Sequence, residues 1–414
     1  MTTLIINIAQ LAGVHENSRL LRGKELAELP MIGPAFLLIE DGFIADFGHM
    51  YELELKVPHP PREIVDAGGQ WVLPAWCDSH THLVFARSRE DEFIDKIRGM
   101  SYAEIAAKGG GILNSARRLQ ETGEDELFRL AWERLDECSR MGTGAMEIKS
   151  GYGLTVEAEL KMLRVIRKLK ERSPVSIRAT FLGAHALPVE YKENREGYID
   201  LIIHDMLPVI GREKLADYID VFCESGFYSP EEMDRICRAG ISYGLKPKVH
   251  VNQLNSIGGL QQAIALQAIS ADHLESMTET DIRDLAASGT IGTLLPTAAF
   301  FLRMGYQPAR QMIDAGAAIA LASDYNPGSS PSGNMNFVIA LSCIQMKMLP
   351  EEAVNAATLN GAHAMEWGTE LGSIQTGKKA NLIFTRPMPS LAYLPYSFGS
   401  NLVSRVMLQG QFIS

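Results

Sequence analysis

The chain has 414 residues, of which 46% are hydrophobic and 21% are charged, and its formal net charge is -11. These proportions are typical of a globular protein and exclude a disordered or fibrous one, and the length suffices for one large domain and a small second one. The acidic balance offers no basic surface for nucleic acid or for an anionic membrane, so the expected partner is a small molecule.

The N-terminal segment lacks the basic residues and the long apolar run of an export signal, and no stretch of the sequence is apolar for long enough to cross a bilayer. The five cysteines are odd in number, widely spaced and free of CxxC pairs, as expected of reduced thiols. We therefore expect a cytoplasmic protein.

Both ends of the chain predict short β-strands. "AFLLIEDGFIADFG" near the start and "LVSRVMLQGQFIS" at the end combine apolar runs with glycine-containing turns. Because these ends flank a long middle of a different pattern, we expect them to meet in space. The predicted unit is a small β-sandwich domain composed of residues 1–72 and 372–414.

The middle of the chain, residues 73–371, alternates apolar β-type runs with segments of helical periodicity. This alternation is typical of βαβ units and a parallel sheet. Eight such runs can be counted, from "VLPAWCDSHTH" to "AIALASD", and eight strands close a (β/α)8 TIM-type barrel. Ser229 and Pro230 open one of the intervening helices, as N-cap and first-turn proline.

Ionisable residues stand at the end of every apolar run except the seventh. In a barrel of this type the active site lies at the C-terminal ends of the strands, so these residues are expected to face one another. They are His80 and His82, Glu147 and Lys149, His185, Glu224, His250, His273 and Asp324.

A metal site is expected among these residues. His80 and His82 are two positions apart in a strand and point the same way, although such a pair can also simply hydrogen-bond at a sheet edge. His250 and Asp324 are distant in sequence but belong to the same end of the predicted barrel. Three histidines and one carboxylate suit zinc or iron better than magnesium or calcium.

Several longer motifs extend this pattern over the whole barrel, namely "DSHTHLVFARSREDEF", "EIKSGYGL", "TFLGAHALPVEY", "DVFCESGFYS" and "ASDYNPGSSP". With them the chain resembles the metal-dependent hydrolases of the amidohydrolase superfamily, and within it the branch that opens an imidazolone ring in histidine degradation. The resemblance implies a distorted (β/α)8 barrel with a small β domain. It also implies a metal bound by His80, His82, His250 and Asp324.

The number of metal ions follows from a lysine position. Binuclear relatives in this superfamily bridge two ions with a carboxylated lysine on the fourth strand. Here the fourth run ends in "VFCES", which offers Glu224 and no lysine, whereas Lys149 belongs to the second run. We therefore predict one zinc or iron ion per subunit, and an ion pair of Lys149 with Glu147 or Glu224.

The reaction class follows from a glutamine. In deaminating relatives a glutamate three residues after the fifth-strand histidine moves a proton, and here that position is Gln253. A neutral amide cannot act as a general base, which favours opening of a cyclic amide. The resemblance implies conversion of 4-imidazolone-5-propanoate to N-formimidoyl-L-glutamate. An amidohydrolase of another cyclic amide, a deaminase of a heterocyclic base and an inactive binding barrel are the alternatives.

His273 or Asp324 is expected to carry the proton, with a ligand-only role as the alternative for Asp324. Arg89 can present a two-pronged donor to the substrate carboxylate, unless it is a solvated loop charge. The loop after Asp324 is expected to hold the carboxylate that ring opening creates, with a plain turn as the alternative. The expected substrate contacts are Arg89, Tyr152, His185, Gln253, Asn326, Gly328 and Ser329. The apolar segment "NMNFVIALSCIQMKM" indicates either packing on the barrel or a homodimer interface.

Overall fold

The two ends of the chain fold together, in a computed structural model that describes residues 1–100, 104 and 110–413. The N-terminal strands are β1 (Thr2–Ile8), β2 (Gln10–Ala12), β3 (Met31–Ile32), β4 (Ala35–Glu40), β5 (Phe43–His49), β6 (Glu63–Asp66) and β7 (Trp71–Pro74). The middle strands are β8 (Trp76–Thr81), β9 (Thr143–Lys149), β10 (Ser176–Ala184), β11 (Tyr218–Cys223), β12 (Lys246–Val251), β13 (Ser270–His273), β14 (Ile291–Leu294) and β15 (Ile319–Leu321). The C-terminal strands are β16 (Leu382–Thr385), β17 (Val403–Leu408) and β18 (Gln411–Phe412).

The small domain consists of two sheets, with strand orders β5-β4-β1-β6 and β18-β17-β16-β7-β2-β3. Alternate side chains of both sheets share one apolar core, which includes Ile5 and Leu37 from the first sheet and Val72 and Phe384 from the second. The second sheet joins strands from both ends of the chain, so the predicted composite β-sandwich is confirmed. The division at residues 72 and 372 stays a prediction.

The eight middle strands form one parallel sheet in sequence order, β8 to β15, and confirm the predicted barrel. Regular pairing stops between β15 and β8. That seam is bridged by the Asp324 amide, which donates to the His80 carbonyl at 3.0 Å, and by the Ser323 amide, which donates to Asp78 Oδ1 at 2.9 Å. The irregular seam therefore lies directly beside two predicted metal ligands.

Helices connect the strands and cover the barrel. They are α1 (Leu53–Lys56), α2 (Glu90–Ile97), α3 (Ile112–Glu121), α4 (Glu124–Arg140), α5 (Val156–Arg172), α6 (Arg195–Leu201), α7 (Leu207–Glu213), α8 (Pro230–Ser242), α9 (Gly259–Ala265), α10 (Glu279–Ala287), α11 (Pro296–Leu302), α12 (Ala309–Asp314), α13 (Met335–Met346), α14 (Pro350–Ala357), α15 (Leu359–Ala364) and α16 (Tyr393–Tyr396). Shorter turns of 3-10 or π helix are Gly23–Ala27, Met50–Glu52, Val189–Tyr191 and Ile202–Met206.

Two helices show how the sequence sets their ends. As predicted, α8 begins after Ser229, whose hydroxyl accepts from the Glu232 amide, with Pro230 in the first turn. The apolar helix α13 packs against α11, α14 and α16, which accounts for its composition by packing, while the homodimer stays a prediction. Among the described residues, we find no helix with the length and apolar character needed to span a membrane.

Candidate active site

Four side chains converge at the C-terminal end of the barrel. His82 Nε2 lies 3.3 Å from His250 Nε2 and 3.6 Å from Asp324 Oδ1. His80 Nε2 lies 3.5 Å from the same carboxylate oxygen, and all four side chains are buried. Ligand atoms about 2.0–2.1 Å from a tetrahedral zinc ion are about 3.3–3.4 Å apart. These three distances are close to that spacing, and two overlapping groups could each hold an ion, His80 with His82 and His250, and His80 with His273 and Asp324. The set of four ligands stays a prediction.

Two of these histidines are oriented by carboxylates deeper in the barrel. His80 Nδ1 lies 2.7 Å from Asp272 Oδ2, and His250 Nδ1 lies 2.8 Å from Asp220 Oδ2. A carboxylate only accepts, so each ring carries its proton on Nδ1 and directs the Nε2 lone pair toward the other ligands. Within the described part of the chain, buried His80 Nε2 has no hydrogen-bond partner, as a metal-binding nitrogen should.

The same histidines are held in the neutral form that binds metals. Burial lowers the pKa of His80 well below 6.5, and the positive charge of Lys149 adds to this effect. Burial also lowers the pKa values of His82 and His250, and the nearby imidazoles lower them further. Neutral imidazoles need not lose a proton when they coordinate a metal ion.

Lys149 lies beneath this site with no exposed surface. Its Nζ lies 2.7 Å from Glu147 Oε1, 2.9 Å from Asp220 Oδ2 and 3.4 Å from Asp272 Oδ2. The predicted ion pair with Glu147 is confirmed. Although burial alone lowers the pKa of Lys149, the three carboxylates together raise it above its ordinary value, so the amine is charged. Lys149 thus forms ion pairs with carboxylates of β9, β11 and β13, and the single metal ion stays a prediction.

The alternative prediction, an ion pair between Lys149 and Glu224, is wrong. The Glu224 carboxylate instead accepts from the amides of Leu254 at 2.8 Å and Asn255 at 3.1 Å. It thereby fixes the loop that follows Gln253. Asp220 and Asp272, which do pair with Lys149, lie before the last residue of their strands, so the pattern of ionisable residues at the strand ends does not predict them.

Asp324 has an unusual backbone conformation for a residue other than glycine, with φ at +52°. Asn326 Nδ2 donates to its carbonyl at 2.7 Å, and Ser329 Oγ donates to its Oδ2 at 3.3 Å. Burial raises the pKa of Asp324 to about 6, partly offset by neighbouring His273. A positive φ strains the backbone of a residue other than glycine. Such strain is concentrated at functional sites, where the surrounding contacts maintain it.

His273 ends β13 beside the cluster, with its ring centroid 5.1 Å from that of His250. Its Nδ1 lies 3.5 Å from Glu275 Oε1, which also accepts from Gln307 Nε2 at 2.9 Å. Burial lowers the pKa of His273, but Glu275, Asp324 and Asp272 together outweigh this and the net shift is upward. His273 is thus placed as the predicted proton carrier, and that role stays a prediction.

A cavity of about 380 Å³ opens above the four ligands. All seven predicted substrate-contacting residues line it: Arg89, Tyr152, His185, Gln253, Asn326, Gly328 and Ser329. A volume of this size suits a small ring with one side chain.

Arg89 is only half-buried as a residue, but its guanidinium faces the cavity. Its Nε donates to Ser115 Oγ at 2.8 Å, and its Cζ lies 5.8 Å from the centre of the Tyr152 ring. Its Nη2 is buried and has no hydrogen-bond partner among the described residues. A Cβ on Gly328 would lie 2.3 Å from Arg89 Nη1, so only glycine allows this approach. The alternative of a solvated loop charge is wrong.

The motif "SGYGL" forms a loop around a buried carboxylate. Glu159 of α5 accepts from the amides of Gly151 at 3.1 Å, Gly153 at 2.6 Å and Leu154 at 3.0 Å. His185 Nδ1 donates to the Gly151 carbonyl at 2.9 Å, so the same loop fixes this imidazole. Sequence reasoning missed Glu159, which is an acidic residue on the buried face of its helix.

The loop after Asp324 is a turn closed by its own side chain. The amides of Gly328 and Ser329 both donate to Asn326 Oδ1, each at 2.8 Å. These amides are therefore not free for an anion, and the expected backbone cradle is corrected to the plain turn. Contact of the loop with substrate stays a prediction, because all three residues still line the cavity.

With this geometry in place, comparison with known proteins gives a clear result. The model of the amidohydrolase family matches residues 71–413. The chain belongs to this family. Over its whole length it is 58% identical to an imidazolonepropionase of Flavobacterium johnsoniae and 51% identical to that of Christiangramia forsetii, covering 100% of both proteins. It is 43% identical to the imidazolonepropionase of Parabacteroides distasonis over 99% of this chain and 98% of that protein.

Solved structures of this amidohydrolase fold are more distant in sequence. Guanine deaminase of E. coli superposes with a TM-score of 0.73 at 14% identity, covering 100% of this chain and 99% of that one. Guanine deaminase of C. acetobutylicum superposes with a TM-score of 0.71 at 16% identity, covering 100% of both chains. At this identity the likeness shows a shared fold and carries no substrate.

Proposed function

We propose that this amidohydrolase opens the ring of 4-imidazolone-5-propanoate by hydrolysis and releases N-formimidoyl-L-glutamate. The observation that carries the proposal is that three of the predicted ligands, His82, His250 and Asp324, share one cavity with the Arg89 guanidinium. The buried Nη2 of that guanidinium has no hydrogen-bond partner among the described residues. A cyclic amide with an anionic side chain needs both the metal ligands and the cation. Full-length relatives that are imidazolonepropionases support the same substrate.

We infer that one zinc or iron ion is held by His80, His82, His250 and Asp324. Such an ion lowers the pKa of a bound water from about 15.7 toward 7 and so supplies a nucleophile at neutral pH. Asp220 and Asp272 hold two of the imidazoles in place, and Lys149 holds both aspartates. The ligand set is therefore preorganised by a second layer of buried charges.

Substrate orientation follows from the two ends of the cavity. The propionate carboxylate accepts from Arg89, whose Nη2 lacks another partner in the described residues. Tyr152 and His185 border the ring, and the His185 ring stacks on His82 with centroids 5.2 Å apart. The cyclic amide is thereby directed toward the metal ligands, with its carbonyl carbon nearest them.

Ring opening adds the elements of water across one carbon–nitrogen bond. A hydroxyl group is added to the carbonyl carbon, the bond to the ring nitrogen breaks, and a proton passes to that nitrogen. Asp324 and His273 are the two groups placed to take up and return this proton. His273, held by Glu275, also provides a hydrogen bond to the oxygen on which negative charge develops.

Deamination has less support. Gln253 lines the cavity at the position where deaminating relatives use a proton-carrying glutamate, and its amide cannot take that role. The experiment is incubation of the metal-loaded protein with 4-imidazolone-5-propanoate, followed by mass spectrometry and an ammonia assay. We expect a product heavier by one water and no ammonia. Release of ammonia, or recovery of unchanged substrate, would overturn the proposal.

We also infer a cytoplasmic location, supported by the free state of the five cysteines.

A further inference from the structure

A second cation lies in the same cavity as Arg89. Lys96, on helix α2, is half-buried and its Nζ donates to the Gly328 carbonyl at 3.0 Å. Arg89 Nη1 packs so closely against the same glycine that a Cβ there would lie 2.3 Å away. One glycine thus separates two cationic head groups.

Neither cation has its charge balanced by a direct ion pair in the part of the chain that the structure describes. Arg89 donates to the hydroxyl of Ser115, and Lys96 donates to a carbonyl oxygen. Two carboxylates share their cavity: Glu92 accepts from the amide of Gly111 at 2.9 Å, and Asp324 is a predicted metal ligand. Two neighbouring positive charges, neither of them in a direct ion pair among the described residues, are an arrangement that binds an anion.

The electrostatics of Lys96 agree with this arrangement. Burial lowers the pKa of Lys96, the positive charge of Arg89 lowers it further, and the negative charge of Glu92 offsets part of this shift. An anion placed between the two head groups would offset this repulsion and favour the charged form of the lysine.

We propose that Lys96 is the second cation that binds the substrate's propionate carboxylate, and that it acts with Arg89 to select anionic substrates. This inference rests on the proposed function. The bond of Lys96 to the Gly328 carbonyl has a second interpretation, in which the lysine only holds the 326–330 loop in place. The two interpretations differ in whether the charge of the ligand matters.

The test compares Lys96→Met with Lys96→Arg and with Arg98→Met, which removes an exposed cation at the end of the same helix. For Lys96→Met we expect kcat/KM for 4-imidazolone-5-propanoate to fall about 10-fold, mostly through KM, because a hydrogen bond to a charged group is lost. We expect Lys96→Arg to recover most of the loss and Arg98→Met to match the wild-type protein.

Two inhibitors separate the interpretations, imidazole-4-propanoate and its uncharged amide. We expect Lys96→Met to raise the inhibition constant of the acid about 10-fold and to leave that of the amide within about 2-fold. Equal changes for both inhibitors would assign Lys96 to the loop and overturn the proposal, as would no change for either. If the wild-type protein does not open the ring at all, the proposed function fails instead, which is a distinguishable result.

Discussion

Substitution of Arg89 by alanine tests how the cavity grips its substrate. Arg89 lines the cavity, its buried Nη2 has no partner among the described residues, and its Nε is fixed by Ser115. If the propionate carboxylate accepts from this group, Arg89→Ala removes a charge-assisted hydrogen bond worth about 1.5–3 kcal/mol. At 1.36 kcal/mol per factor of ten, kcat/KM should fall about 10- to 150-fold.

The assay is steady-state loss of imidazolone absorbance, with metal content measured on the same samples. Arg87→Ala is the matched control, because Arg87 is exposed two residues away in the same loop. Arg89→Lys keeps the charge without the fork and should lie between the wild-type protein and Arg89→Ala. A loss below about 3-fold for Arg89→Ala, or an equal loss for Arg87→Ala, would refute the reasoning.

Three further substitutions test other parts of the account. His273→Ala should lower kcat by about 10²- to 10⁴-fold with metal content unchanged, since it removes a proton carrier and no ligand; atomic absorption and turnover check this together. Lys149→Met should lower the free energy of unfolding by about 3–5 kcal/mol in urea titrations, because it leaves buried carboxylates without their cation. Burial lowers the pKa of His185 to about 4, only partly offset by its bond to Gly151. As the pH falls, the unfolded chain therefore binds a proton at His185 before the folded chain does. The free energy of unfolding should fall by about 3 kcal/mol between pH 6.5 and pH 4 for this reason, and His185→Gln should lack this part of the loss.

Turnover and unfolding measurements on the same variants can contradict these three predictions. Near-normal turnover of His273→Ala would remove that residue from the chemistry. For Lys149→Met the matched control is Lys170→Met, because Lys170 is largely exposed and meets one carboxylate at 3.6 Å; equal destabilisation would contradict the buried-charge argument. If the stability of His185→Gln depends on pH in the same way as that of the wild-type protein, the imidazole of His185 is not held in its neutral form.

Much of the barrel and of its ligand set could be predicted from the sequence, because both depend on short periods. His80 and His82 share a strand face through the two-residue repeat, and the runs that end in His250 and Asp324 place those residues at the same rim. These positions follow from local pattern and topology alone.

The second layer of the site could not be predicted in the same way. Asp220 has the same strand parity as Glu224 and so points into the barrel, but only the packed barrel shows that it meets both Lys149 and His250. Glu159 is an unremarkable helix residue in sequence, and its three bonds to the 151–154 loop depend on how the helix docks. Contacts between residues far apart in sequence decide these roles.

The loop after Asp324 shows a further limit. Its composition allowed either an anion cradle or a plain turn, and the choice depended on the rotamer of one side chain. Asn326 Oδ1 takes both amides, so the turn is closed by the chain itself. Asparagine often caps its own turn in this way, and that tendency favours the plain turn.

The central claim is metal-dependent opening of an imidazolone ring, and one measurement tests it most directly. Purified protein is mixed with 4-imidazolone-5-propanoate, and the ring absorbance is followed before chelation, after chelation and after reloading with zinc or iron. We predict that the absorbance is lost, that chelation stops the loss and that reloading restores it. Absence of any loss under every metal condition, or a loss that chelation does not affect, would contradict the account.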